Sequence, residues 1–76
     1  MSYTKIAQII AEKTGLETEA ITLDSYFAEE LKIDSLDIFE IIMELESEYS
    51  LEIPTEDIEG MKKVADLVDY IDQRIS

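Results

Sequence analysis

Seventy-six residues allow one domain with a single modest core, since a chain of this size buries only about 60% of its unfolded surface. Six basic against nineteen acidic side chains give a formal net charge of −13, a field that opposes nucleic acid and anionic membrane and steers basic protein surfaces toward it. No cysteine and no histidine are present, which removes disulfides, thiolate metal sites and the common nucleophile–base pairs, while 46% hydrophobic content with two glycines and one proline argues against disorder.

The N-terminus lacks the basic-then-apolar pattern of a signal peptide, and no apolar run approaches the ~18 residues of a membrane span, so a cytoplasmic monomer is expected. Tyr3, Ile6, Ala7 and Ile10 follow the i, i+3, i+4, i+7 spacing of a buried helical stripe. The first helix is predicted over about residues 3 to 14, capped by Ser2 or Thr4 and stopped by Gly15.

Residues 15 to 33 form a connection longer than the two to eight residues usual between bundle helices. It carries Ile21, Leu23, Tyr26, Phe27, Leu31 and Ile33, so it must pack across the bundle and close its core, with Asp24 capping a short turn through Glu29. A crossover of this length allows helices one and two to run in the same direction.

The longest periodic run, Ser35 to Ser50, reads as the second helix. Asp34 is its N-cap, and Asp37 reaches back as the acidic half of a capping box. Ser35 then falls at the first helical position, where its hydroxyl projects from an exposed end. Three roles are open to such a serine: a solvent-facing residue, a nucleophile, or a site that another enzyme modifies. The nucleophile needs a base in reach, and Lys32, the one lysine nearby in sequence, has nothing to desolvate it.

Ile38, Ile41, Ile42, Leu45 and Tyr49 fall on one face of this helix as the core stripe. Leu36, Phe39 and Met43 gather on nearly the opposite side. A surface helix needs one apolar face only, so this second stripe, flanked by Asp37, Glu40, Glu44 and Glu48, has the make-up of a protein-docking surface. The alternative for Phe39 is inward packing against the long loop.

Pro54 biases Ile53 toward an extended backbone, Thr55 can cap, and Gly60 can end a short helix whose Ile58 faces the core, as Ile53 does. Met61 follows at a junction where a flexible thioether suits an irregular gap or a ligand. The last helix is predicted from about Lys62 to Ile75, with Val64, Leu67, Val68, Ile71 and Ile75 as its stripe. No strand pattern, glycine-rich phosphate cradle or calcium loop is present. The fold class is therefore all-α: one domain over residues 1–76, a bundle of three main helices plus one short helix, with a long loop between the first two.

The motif Asp34-Ser35-Leu36 with Asp37 follows Phe27-x-x-x-Leu31. It continues into Phe39-Glu40-Ile41-Ile42-Met43-x-Leu45-Glu46, then Tyr49, Glu52-Ile53-Pro54 and Val64-x-x-Leu67-x-x-Tyr70-Ile71. Over nearly its whole length the chain resembles the type II acyl carrier proteins. The resemblance implies 4'-phosphopantetheine esterified to Ser35 by a holo-protein synthase, with Asp34 assisting recognition and metal placement in that enzyme. It implies acyl cargo reaching a core bounded by Ile42, Leu45, Ile58, Met61 and Leu67. Partner contacts would come from Leu36, Asp37, Phe39, Glu40, Met43, Glu44, Glu46 and Met61, meeting basic surfaces of synthases, reductases, dehydratases and acyltransferases. The carrier itself would catalyse nothing. Fatty-acid synthesis is the favoured setting, with specialised polyketide, aminoacyl or D-alanyl transfer, or a non-carrier interaction module, as alternatives. One departure stands out: Lys32 occupies a position that is usually glycine in the family.

Overall fold

Four α-helices and one 3-10 turn build the chain in the computed structural model, which describes residues 2–75. They are α1 (Tyr3–Thr14), the turn Thr18–Ala20, α2 (Ser35–Tyr49), α3 (Thr55–Glu59) and α4 (Val64–Ile75). The all-α expectation holds, and among the described residues the only extended pairing is a single antiparallel bridge between Tyr26 and Lys63.

Helix α1 ends where expected. Gly15 takes the left-handed conformation at φ 78° and donates its amide to the Ala11 carbonyl at 2.8 Å. Its start differs from expectation. Ser2 stands at the N-cap position, but its side chain accepts no helix amide; its amide and hydroxyl both donate to the Asp72 carboxylate, at 2.8 and 2.7 Å, charge-assisted bonds that orient the residue toward α4. The beginning of α1 is thereby fastened to the later turns of α4. These bonds, the hydroxyl's first, hold the Asp72 carboxyl below its ordinary range.

Two ion pairs fix the direction of α2. Lys5 meets Glu48 at 3.6 Å and Lys13 meets Glu44 at 3.7 Å, so advancing along α1 means retreating along α2. The helices are antiparallel, which corrects the same-direction expectation. The long loop does not carry the chain from one end of the bundle to the other; it doubles back. The Tyr3 hydroxyl donates to the Ile21 carbonyl at 2.7 Å near the start of α1. The loop then returns to the start of α4, where Ala65 donates to Leu23, Val64 to Ser25 and Phe27 to Lys62, at 2.9–3.0 Å. The loop's length serves to cover the core with Ile21, Phe27, Leu31 and Ile33, all buried, while Leu23 and Tyr26 stay partly exposed. Buried Ser25 holds the Thr22–Ser25 turn, its hydroxyl accepting the Thr22 amide at 3.1 Å, and the turn that runs through Glu29 is opened not by the expected Asp24 but by Tyr26, whose amide donates to the Glu30 carboxylate at 3.1 Å.

At the other boundaries, side chains decide where helices begin. The Asp66 carboxylate accepts the amides of Lys62 and Lys63 at 2.9 and 3.0 Å, so α4 starts at Val64 instead of Lys62. Those two backbone bonds, Lys63 first, lower the Asp66 pKa. Pro54, not Thr55, occupies the N-cap of α3, and Gly60 ends it at φ −83°, where any residue fits. Ile53 and Ile58 are buried as expected, whereas Ile75, last in its stripe, is exposed. The core joins Ile6 and Ile10 of α1, Ile41 and Leu45 of α2, and Val64, Leu67, Val68 and Ile71 of α4.

Two non-glycine residues adopt left-handed backbone, Lys32 at φ 57° and Ser50 at φ 55°. A side chain there costs about 1–2 kcal/mol, of which glycine's extra unfolded-state freedom returns about 0.5–1 kcal/mol. Lys32→Gly is expected to raise stability by roughly 0.5–1 kcal/mol, seen as a higher urea midpoint at unchanged slope. A lower midpoint would mean that the lysine side chain contributes more than its backbone costs.

Candidate functional site

The second helix opens as its residues dictate. Asp34, at φ −88° and ψ 177°, accepts the Asp37 amide on Oδ1 at 2.9 Å. The return bond of a capping box, from the Asp34 amide to the Asp37 carboxylate, is absent among the described residues. Ser35 is the first helical residue and is exposed, and its hydroxyl has no hydrogen-bond partner among the described residues. The cap is complete without it. That leaves a free oxygen at a helix end whose unpaired amides favour an anion.

Beside this hydroxyl lies a groove of about 420 Å³. The loop contributes Phe27, Ala28 and Glu29, α2 contributes Ser35, Ile38 and Phe39, and the α3–α4 side contributes Ile58, Glu59, Met61 and Lys62. Beneath it, a void of about 10 Å³ is lined only by Phe27, Ile38, Ile41, Ile42, Met61 and Leu67. Phe27, Ile38 and Met61 border both spaces, so the groove has an apolar floor that reaches the core. Of the residues expected around such a space, Ile42, Met61 and Leu67 line the void and Ile58 the groove. Leu45, fully buried, lines neither.

The second apolar stripe is on the surface: Leu36 is 74%, Met43 63% and Phe39 40% exposed, with Phe39 also forming a wall of the groove. Its acidic flank divides. Glu44 and Glu48 are joined to the α1 lysines, and the Glu46 carboxylate accepts the Ile53 amide at 2.8 Å, bracing the turn into α3. Glu40 is exposed and Asp37 half-buried, and neither has an ion pair among the described residues. Sequence reasoning grouped these carboxylates together because helical spacing does not show which of them a neighbouring element engages. It also missed Lys62 as a groove residue, since its place there depends on the loop and α3 converging.

A larger, open cleft of about 560 Å³ lies between α3 and α4. There the Tyr70 hydroxyl donates to Asp57 at 2.7 Å and the Arg74 guanidinium stacks on the Tyr70 ring at 3.7 Å, tying the short helix to the long one. Burial, then the bond to Asp57, pushes the Tyr70 hydroxyl pKa up. Ser35 does not line this cleft, which shares only Met61 with the groove. No group of side chains among the described residues has the make-up of a metal site, and none of the described helices is long and apolar enough to cross a membrane.

Comparison with known proteins adds to this geometry. Residues 4–71 match the family model described as "Phosphopantetheine attachment site". An acyl carrier protein of Clostridium perfringens is 49% identical over 69 residues, covering 91% of each chain. One of Rickettsia bellii is 44% identical over 72 residues, covering 95% of this chain and 84% of that one. A solved structure of a proposed acyl carrier protein from Mycobacterium tuberculosis superposes with a TM-score of 0.90 at 26% identity, covering 97% of this chain and 99% of that one.

Proposed function

The chain belongs to the acyl carrier protein family, whose members bear covalently attached 4'-phosphopantetheine, and on that premise we propose that Ser35 is the attachment residue. The observation that carries this reading is the unpartnered, exposed hydroxyl at the head of α2, at the mouth of a groove floored by apolar side chains. The residues fit the group. A phosphate on Ser35 would sit against the positive end of a helix dipole, and Phe39, Ile58 and Met61 offer apolar wall to the pantetheine chain beyond it. When bound, the group supplies the thiol that this cysteine-free chain lacks, on which acyl units travel as thioesters.

The chain's own part is presentation. Asp34 holds the helix end on which the modifying synthase must find Ser35. Leu36, Phe39 and Met43 supply contact area, and Asp37 and Glu40 steer basic partner surfaces, with Glu44 available only if its lysine pair opens. Met61 acts from the groove side, and Glu46 is kept for the α2–α3 turn. In this reading the protein is a cytoplasmic, monomeric carrier that catalyses nothing. It serves the synthases, reductases, dehydratases and acyltransferases of fatty-acid synthesis.

The reading is tested by incubating the protein with coenzyme A, magnesium and a broad-specificity phosphopantetheinyl transferase, then mapping the added mass. Addition at Ser35 is expected. Its absence from folded protein, or its appearance elsewhere, would overturn the assignment. Docking has a separate test in Leu36→Ala. This side chain is so exposed that stability should change by less than about 0.5 kcal/mol. Loss of a central apolar contact should weaken a partner enzyme's use of the loaded carrier about tenfold, read in its KM. An unchanged KM would remove Leu36 from the docking surface.

A further inference from the structure

Cations are scarce in this chain, six against nineteen carboxylates, and their placement is uneven. Lys5 and Lys13 are paired with α2, Arg74 lies on the Tyr70 ring, and the Lys63 ammonium sits 5.1 Å from the centre of the Tyr26 ring. Lys32 and Lys62 have no ion pair among the described residues. Of these two, only Lys62 lines the groove on which Ser35 opens, and it is the one cationic residue there, beside the carboxylates Glu29 and Glu59 in the lining. Its backbone is held from both sides: its amide donates to Asp66 at 2.9 Å and its carbonyl accepts from Phe27 at 3.0 Å. The side chain is thus the free part of a fixed residue.

A phosphodiester bonded to the Ser35 oxygen carries one negative charge at neutral pH, and its position is set by that bond. It would add that charge beside a groove already lined by the Glu29 and Glu59 carboxylates, in a molecule of net charge −13. We propose that the Lys62 ammonium pairs with this phosphodiester and holds it against the groove, an inference that rests on Ser35 being the attachment residue. Lys62 is then a positioning residue. By neutralising the phosphate it favours an arm lying along Phe39 and Met61 over one extended into solvent. Exposed pairs of this kind are worth only a small factor and are screened by salt.

The test compares unloaded and loaded protein, loading at Ser35 being verified first by mass. Each form is treated with N-hydroxysuccinimidyl acetate and the acetylation rate of every lysine is read by peptide mapping. At low salt, Lys62 should react about two- to fivefold more slowly in the loaded form, with Lys5 and Lys13 unchanged. In about 1 M sodium chloride the difference should vanish, because an ion pair is screened there whereas steric cover is not. The phosphorus NMR resonance of the loaded protein should keep its salt dependence in Lys62→Arg and lose it in Lys62→Gln. Equal Lys62 rates at low salt, protection that survives high salt, or a phosphorus resonance indifferent to Lys62→Gln would each overturn the proposal. Those failures leave the Ser35 assignment standing, whereas a folded protein that cannot be loaded at Ser35 removes both.

Discussion

Ser35→Ala is expected to abolish loading outright while leaving the fold within about 0.5 kcal/mol of the parent. The two halves of that result have separate causes. The hydroxyl is the atom to which phosphopantetheine would be joined, so its removal leaves nothing to esterify and the loss is total. Structurally the hydroxyl holds nothing: it has no partner among the described residues, the helix is capped by Asp34, and alanine is a better helix former than serine. Asp34→Ala makes the contrast, since losing the cap costs about 1 kcal/mol although the reactive atom remains. The other described serines compete poorly as sites. Ser2 and Ser25 are buried and hydrogen-bonded, Ser47 lies well inside α2, and Ser50 lies at its C-cap, where unpaired carbonyls repel an anion. Intact-mass analysis after transferase treatment, beside urea titrations of both variants, reads the two halves separately. Mass added to Ser35→Ala would refute the assignment, and a large loss of stability would show that Ser35 has a structural role.

Leu45→Ala, ten residues further along the same helix, should do the opposite. Leu45 is completely buried in the core and lines neither the groove nor the void. Truncating such a leucine costs about 2–5 kcal/mol through lost burial and the cavity left behind. A domain of this length is stable by only roughly 4–11 kcal/mol, so the variant retains little reserve. A fall of about 8–40 °C in the thermal midpoint is expected by circular dichroism. Protein that remains folded should still accept the arm at Ser35. A shift of only a few degrees would mean that the core refills the space left by the side chain.

What could be read from the residues alone rests on local rules. The extent of α1 and its Gly15 stop, the Asp34 cap, the start of α2 at Ser35 and both of its apolar stripes depend on spacing and on contacts within a few residues. So does the family resemblance, carried by the run from Phe27 through Met43 and the segments after it. Expectation failed in two ways: at loop and helix boundaries a side chain three or four residues away took the role, as Asp66 does at the head of α4, and elsewhere a partner distant in sequence intervened. Ser2 is bonded to Asp72, seventy residues away, and makes no side-chain cap. The antiparallel course of α1 and α2 came from a loop that returns on itself, which its length could not reveal.

Lys32 joins the two levels. The family resemblance marks its position as one usually held by glycine, and the φ of 57° shows a left-handed backbone there. Reading residues in order was enough for a charge of −13, a chain without histidine or cysteine, and a serine at a helix start beside an unpaired apolar stripe. Long-range packing was needed to show which carboxylates are engaged by α1 and the α2–α3 turn, which apolar residues floor the groove, and that Lys62 lines the groove with Ser35. The reason is physical. Caps and stripes are satisfied within one or two turns of chain, whereas a groove exists only where segments remote in sequence converge, and charge at its mouth depends on which side chains that convergence leaves without a partner.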